Sequence, residues 1–232
     1  MNETVTWHGH SNFHVAWEGG SLVIDPFFTN NPKAVVALAD SPKPDYVLLT
    51  HMHGDHIGDT VALCREYGAK LVCAVTTSEA MVAKGVPQES LFNGIGMNIG
   101  GTVPLQGAFV TMTEAFHTSE AGAPTGFIVR LPSGYTLYHS GDTGIFANMA
   151  TWGALFPLDL ALLPVGDVFT MDGRQAAMAA KMLGAKAAVP MHYGTFPRLA
   201  QTPDAFIQHL EQSAPACRCK VMQPGQTLSL PL

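Results

Sequence analysis

Apolar and polar residues alternate along this chain with two different periods. Phe13-His14-Val15-Ala16-Trp17 sets an apolar side chain at every second position, Gly19-Gly20 supplies a turn, and Ser21 to Ile24 resumes the extended pattern. Residues 4–24 therefore predict strands with a hairpin, stopped by Asp25-Pro26. Asp45 to Thr50 (DYVLLT) is short and almost continuously apolar, as a strand buried on both faces would be. Val61 to Tyr67 predicts a helix with Asp59 or Thr60 as N-cap and Gly68 as its stop. Lys70 to Val75 predicts a second buried strand, and Ser78 to Lys84 a short helix ended by Gly85.

Between residues 94 and 140 the helical period disappears. Thr102 to Leu105, Phe109 to Ala115, Gly126 to Leu131 and Tyr135 to His139 predict short strands, with a turn at Ser133-Gly134. The last quarter returns to alternation: strand Leu158 to Leu163, helix Arg174 to Leu183, strand Ala187 to Met191, helix Pro203 to Gln212, and one or two strands within Val221 to Leu230. Strand–helix alternation of this kind is α/β in character. No linker, repeat or low-complexity tract divides the halves, so residues 1–232 are expected to form one domain with two mixed sheets and outer helices.

Composition narrows the picture. Hydrophobic residues make up 47% of the 232 and charged residues only 13%, enough apolar mass for a sizeable core. The net charge of −6, with no run of Lys and Arg, lacks the footprint of a nucleic-acid binder and favours a small-molecule substrate. The N-terminal MNETVTWHGH has neither a basic nor an apolar segment of a secretory signal, and no apolar stretch approaches the ~20 residues that cross a bilayer. Cys64, Cys73, Cys217 and Cys219 form no C-x-x-C pair and read as reduced thiols of a cytoplasmic protein.

The chemistry concentrates in His51-Met52-His53-Gly54-Asp55-His56, directly after the apolar strand. Three imidazoles and a carboxylate within six residues offer nitrogen and oxygen donors suited to borderline divalent metals. Further candidates stand at strand ends: Asp25 in LVIDP, His117 in AFHT, Asp142 in HSGDT and His192 in VPMHY. With these elements in this order, the chain resembles the metallo-β-lactamase superfamily. Within it, the chain is similar to the UPF0173 metal-dependent hydrolases, relatives of the L-ascorbate-6-phosphate lactonase group. The shared stretches include Gly9-His10-Ser11, His56-Ile57-Gly58-Asp59, Tyr138 to Gly144, Phe169-Thr170-Met171 and Pro190 to Thr195. One departure is Asp167 in Val165-Gly166-Asp167-Val168, where the resemblance leads one to expect a second glycine.

The resemblance implies an αββα sandwich with two divalent metals at one edge of the sheets. It implies His51, His53 and His117 on the first metal, Asp55, His56 and His192 on the second, and Asp142 between them. Zinc is the first expectation, with manganese, iron or nickel served by the same donors. The implied reaction is hydrolysis of a small ester, lactone or phosphodiester by a hydroxide shared between the metals, with Asp55, Asp142 and His192 as catalytic residues. Asp25 is expected behind a ligating histidine, and His139 behind the Asp142 loop. His10 is expected to line the site, while Thr118 and Tyr193 are candidates for substrate contact. His8 and His14 read as strand-surface residues and His209 as a structural residue of the last helix.

Other functions are less well served. Nucleic-acid-processing relatives carry a clamp insertion and basic surfaces that this chain lacks, and redox relatives carry a glutamate in the metal loop and a flavin domain. A non-catalytic metal-binding protein is distinguished from an enzyme by turnover of a generic ester or phosphodiester. A homo-oligomer is compatible with the apolar content.

Overall fold

A computed structural model describes residues 3–232. The first sheet is built from β1 (Glu3–Trp7), β2 (Phe13–Trp17), β3 (Gly20–Ile24), β4 (Tyr46–Leu48) and β5 (Lys70–Val72), with β13 (Thr227–Leu230) returning beside β1. The second runs in the order β12 (Arg218–Cys219), β11 (Ala187–Met191), β10 (Leu160–Pro164), β9 (Thr136–His139), β8 (Thr125–Arg130), β7 (Ala108–Glu114) and β6 (Thr102–Leu105). Both sheets are mixed. β3, β4 and β5 are parallel, as are β9 to β12, while the remaining neighbours are antiparallel.

The strand sequences explain the layering. β1 and β2 alternate buried and half-buried positions, whereas β10 and β11 are buried at every position, as parallel strands covered on both faces must be. Val5, Phe13, Val15, Leu22 and Leu48 of the first sheet meet Val110, Phe127, Val129, Leu162 and Val189 of the second in one core. Two outer cores complete a four-layer αββα sandwich. Leu63 and Cys64 of α2 (Thr60–Tyr67) and Met81 of α3 (Val75–Ala83) cover the first sheet. Met149 of α4 (Met149–Leu155), Ala176 and Ala180 of α5 (Gly173–Leu183) and Phe206 of α6 (Asp204–Ser213) cover the second.

Three local expectations are corrected. The strand after Gly68 stops at Val72, and a helix already starts at Val75 rather than Ser78. The β-branched run Val75-Thr76-Thr77 reads as strand, but Ser78 N–H donates to Ala74 O and its Oγ–H to Val75 O, closing a helical turn. Asp59 precedes α2 without capping it. Its carboxylate accepts from Phe28 N and Thr29 N instead, tying the helix start to the loop after β3. No helix is predicted over Met149–Leu155, which carries Gly153 in its interior. Its missing side chain allows a close crossing: a Cβ there would lie 2.3 Å from Leu183 O.

Candidate metal centre

The loop after β4 carries the histidine cluster, and the end of β3 organises it. Asp25 is fully buried in a left-handed conformation (φ 48°). Its Oδ1 accepts from Thr50 N at 2.9 Å, and its Oδ2 accepts from Thr50 Oγ1 at 2.7 Å and from His56 Nδ1 at 2.6 Å. The Thr50 hydroxyl uses its one hydrogen to donate to Asp25, so at 2.9 Å it accepts from His51 Nδ1. Both imidazoles thus have their Nδ1 protons fixed from behind, and both are left with Nε2 as the free donor.

Around the first of these, His51 Nε2 lies 2.9 Å from His53 Nδ1, which lies 3.2 Å from His117 Nε2. His53 stands at the start of α1 (Gly54–Ile57), and His117 comes from the connection between β7 and β8 in the other sheet. Three ring nitrogens brought so close repel through their lone pairs unless a proton or a cation is shared among them.

Asp142 follows β9 and is almost fully buried. Its Oδ2 lies 2.9 Å from His192 Nε2, 3.3 Å from His56 Nε2 and 3.8 Å from His117 Nε2, so it sits between the two groups of histidines. His192 follows β11 with φ 62°, and its backbone N–H donates to His10 O at 3.1 Å. Gly166 makes room for it, since a Cβ there would lie 2.5 Å from His192 O and 2.6 Å from His192 Nδ1. Next to it, Asp167 adopts φ 62°, the left-handed geometry that explains why glycine is expected at that position.

His10, between β1 and β2, is fully buried at φ 57°. Its Nε2 is 3.1 Å from Asp55 Oδ2, its Nδ1 is 3.0 Å from Thr195 Oγ1, and its ring lies 4.0 Å from that of His192. One donor atom from each of His10, Asp55, His56 and His192 falls within 4.8 Å of the others; the same holds for His51, His53 and His117, and for His51, His56 and Asp142.

The electrostatics favour a cation. Burial, then repulsion from His56, pushes His51 down to about 2, and burial with His192 pushes His10 down to about 4. Burial also lowers His117. These rings are neutral and present lone pairs. Burial lowers His56 too, but Asp142 and Asp25 outweigh it and raise it well above the usual range. Burial would raise Asp142, yet His192 and His56 hold it well below the carboxylate range. Burial would likewise raise Asp55, and the hydrogen bond with His10 and the nearby His56 hold it low. Carboxylates held ionised beside neutral imidazoles form a donor set that a divalent cation would satisfy. His56 Nε2, Asp142 Oδ1 and His192 Nδ1 are buried without a hydrogen-bond partner, whereas buried polar atoms are ordinarily paired. The first two are free donors at this junction, and the donor set fits divalent metal.

All seven residues expected as ligands are brought to one edge of the sandwich. Of the others, Asp25 stands behind His56, and His139 pins the Asp142 turn by accepting from Gly141 N while its Nε2 donates to Ser11 O. Thr118 lines the cavity above the donors with its hydroxyl 3.3 Å from His53 Nε2. Tyr193 does not line it; its ring packs on Trp7, 5.6 Å away, within the core. His8 is buried beside Phe28 rather than on the strand surface, and His14 is half-buried. Thr50 and Thr195 are not among the site residues expected from the sequence, because a threonine carries no ligand signature of its own.

A family model described as a Beta-lactamase superfamily domain matches residues 21–193. A UPF0173 metal-dependent hydrolase of Nitratidesulfovibrio vulgaris is 53% identical over 99% of this chain and 96% of its own length. The chain belongs to this family. Another UPF0173 member, from Lawsonia intracellularis, is 50% identical over 99% of the chain and all of its own. Among solved structures, Igni18, a metallo hydrolase of Ignicoccus hospitalis, superposes over the full length of both chains with a TM-score of 0.90 at 38% identity. This UPF0173 protein is thus a metal-dependent hydrolase of the metallo-β-lactamase fold. None of its described helices is long and apolar enough to cross a membrane.

Proposed function

We propose that this protein is a binuclear metal hydrolase of small esters, lactones or phosphodiesters. The observation that carries this reading is the pair of donor groups flanking one buried carboxylate: His51, His53 and His117 on one side of Asp142, and Asp55, His56 and His192 on the other. The first three would hold one cation and the second three another, with Asp142 between, and His10 is placed to join the second group through Nε2. Zinc suits this mixture of imidazole and carboxylate, and manganese, iron or nickel accept it too. Bound there, the metals would polarise the scissile bond and bring water toward ionisation at neutral pH.

The protein's own groups do the rest. Asp25 and Thr50 fix the tautomers of His56 and His51, so that donors are aimed before any ligand arrives. Asp55 Oδ2, half-exposed in the cavity and hydrogen-bonded to His10, is placed to carry a proton to the departing alkoxide. Phe169, Phe196 and Leu199 wall the cavity against bulk water. The net charge of −6 supports a small substrate rather than a nucleic acid, and four unpaired cysteines support a cytoplasmic setting.

Elemental analysis of wild type and Asp142→Ala, purified side by side, tests the metal count. About two metals per chain in wild type, with loss of at least one in the variant, and hydrolysis of some member of an ester, lactone and phosphodiester panel are expected. No metal uptake by wild type, even after incubation with zinc or manganese, would refute the proposal.

A further inference from the structure

The floor of the cavity is crowded with donors, but its walls have a different character. The cavity holds about 380 Å3 and its sides are Phe169, Phe196 and Leu199. Among the described residues that line it, none is a lysine or arginine. Arg198 lies on the same loop as Phe196 and Leu199, yet it is exposed and forms no part of the lining. A shallower cavity of about 700 Å3 adjoins through His117 and is bounded by Ile99, Phe116 and Pro124. Its one acid, Glu114, is occupied by Trp152 Nε1 at 2.7 Å and Asn148 Nδ2 at 3.0 Å. A phosphate or carboxylate on the non-reacting part of a substrate, held away from the donors on the floor, would meet no lysine or arginine among the residues lining either cavity.

The backbone beside Phe169 adds an independent observation. Asp167 and Val168 both take positive φ, 62° and 35°, and a β-branched residue there is strained. The turn is closed by Phe169 and Thr170 N–H groups donating to Asp167 O, and by Met171 N donating to Thr143 O. It leaves Val168 66% and Phe169 52% exposed, with Phe169 in the wall of the cavity. A strained turn that exposes two large apolar side chains weakens the fold, and such strain gathers at ligand clamps.

We propose that the substrate is an uncharged ester or lactone whose non-reacting part is apolar, an alkyl chain or aryl ring seated between Phe169 and Phe196. This rests on the hydrolytic reading above and narrows it. Water adds across the acyl bond: a C–O bond forms to the water oxygen, the C–O bond to the alcohol breaks, and one water proton ends on the alcohol. The products are a carboxylic acid and an alcohol, with nothing oxidised or reduced.

The test uses metal-loaded enzyme and p-nitrophenyl esters of acetate, butyrate, pentanoate and hexanoate, with the hemisuccinate as an anionic ester of similar length. The expected kcat/KM rises at least tenfold from acetate to hexanoate, as partial burial of the four added methylenes predicts, and falls at least tenfold from pentanoate to hemisuccinate, whose carboxylate must leave water for an apolar wall. Phe169→Ala is expected to flatten the chain-length gradient below threefold, and Arg198→Ala to leave the discrimination against hemisuccinate unchanged. Calorimetric titration with heptan-2-one, an uncharged and unreactive probe, supplies a readout that needs no turnover; Phe169→Ala should weaken it at least fivefold. Ketone binding through Phe169 without hydrolysis of any ester would overturn the ester chemistry proposed here and leave only the apolar cavity standing. Preference for hemisuccinate, or a flat gradient with ketone binding indifferent to Phe169, overturns the proposal. So does a Phe169→Ala variant that turns an oligomer into a monomer in sedimentation while its gradient stays intact.

Discussion

At the scale of single residues, the informative side chains are those that touch no cavity. Asp25 is fully buried and spends both oxygens on Thr50 and His56. Asp25→Asn would keep the shape but would present an NH2 or a weaker acceptor to His56 Nδ1, releasing the ring from its tautomer. Metal affinity is expected to fall by about 10- to 100-fold, measured by competition with a chromogenic chelator. Unchanged affinity would mean that Asp25 serves only the turn after β3. The cluster of candidate donors was legible in the sequence because H-x-H-x-D-H packs four of them into six residues, and His117, Asp142 and His192 each follow a strand. Thr50 was not legible: a threonine at a strand end is ordinary, and only the path His51 Nδ1 to Thr50 Oγ1 to Asp25 gives it a role.

At the scale of elements, the strand ends place the site and glycines set the tolerances. β10 ends at Pro164, and the chain leaves it through Gly166 with His192 of the next strand pressed against it. Gly166→Ala inserts a methyl group 2.6 Å from His192 Nδ1, which cannot move without leaving Asp142. This variant should lose about 1–3 kcal/mol in urea unfolding. On the binuclear reading proposed above, it should also lose one metal per chain while keeping the one near His51. Retention of both metals would show that the His192 loop can shift. Periodicity located the strands here well, since β6 and β11 fall on the predicted residues, but it missed α4 and misplaced the start of α3. In both cases a locally poor helix sequence is held helical by what it packs against, which is information that lies elsewhere in the chain.

At the scale of the whole molecule, buried histidines outside the centre couple stability to pH. Burial, with some repulsion from His14, pushes His8 down to about 4, and burial pushes His14 to about 4 as well. Their folded values lie below the unfolded value near 6.5, so the unfolded chain takes up protons that the native state refuses. The contribution of this pair is complete above pH 6.5 and is lost as pH falls toward 4. Thermal unfolding in chelator should show a falling Tm across that window, and His8→Phe should flatten the slope, since His8 makes no side-chain hydrogen bond. A slope unchanged in the variant would assign the pH response to other groups.

The donors come from both sheets, with His51 to His56 following β4 and His192 following β11, the last long strand of the second sheet. During synthesis the ribosome therefore releases the first cluster well before its partners. At about 5–20 residues per second the interval is on the order of ten seconds. Throughout it, the nascent chain offers only a flexible half-set of histidines to whatever metals surround it. The complete donor set exists only once the second sheet docks and brings Asp142 and His192 beside the first cluster.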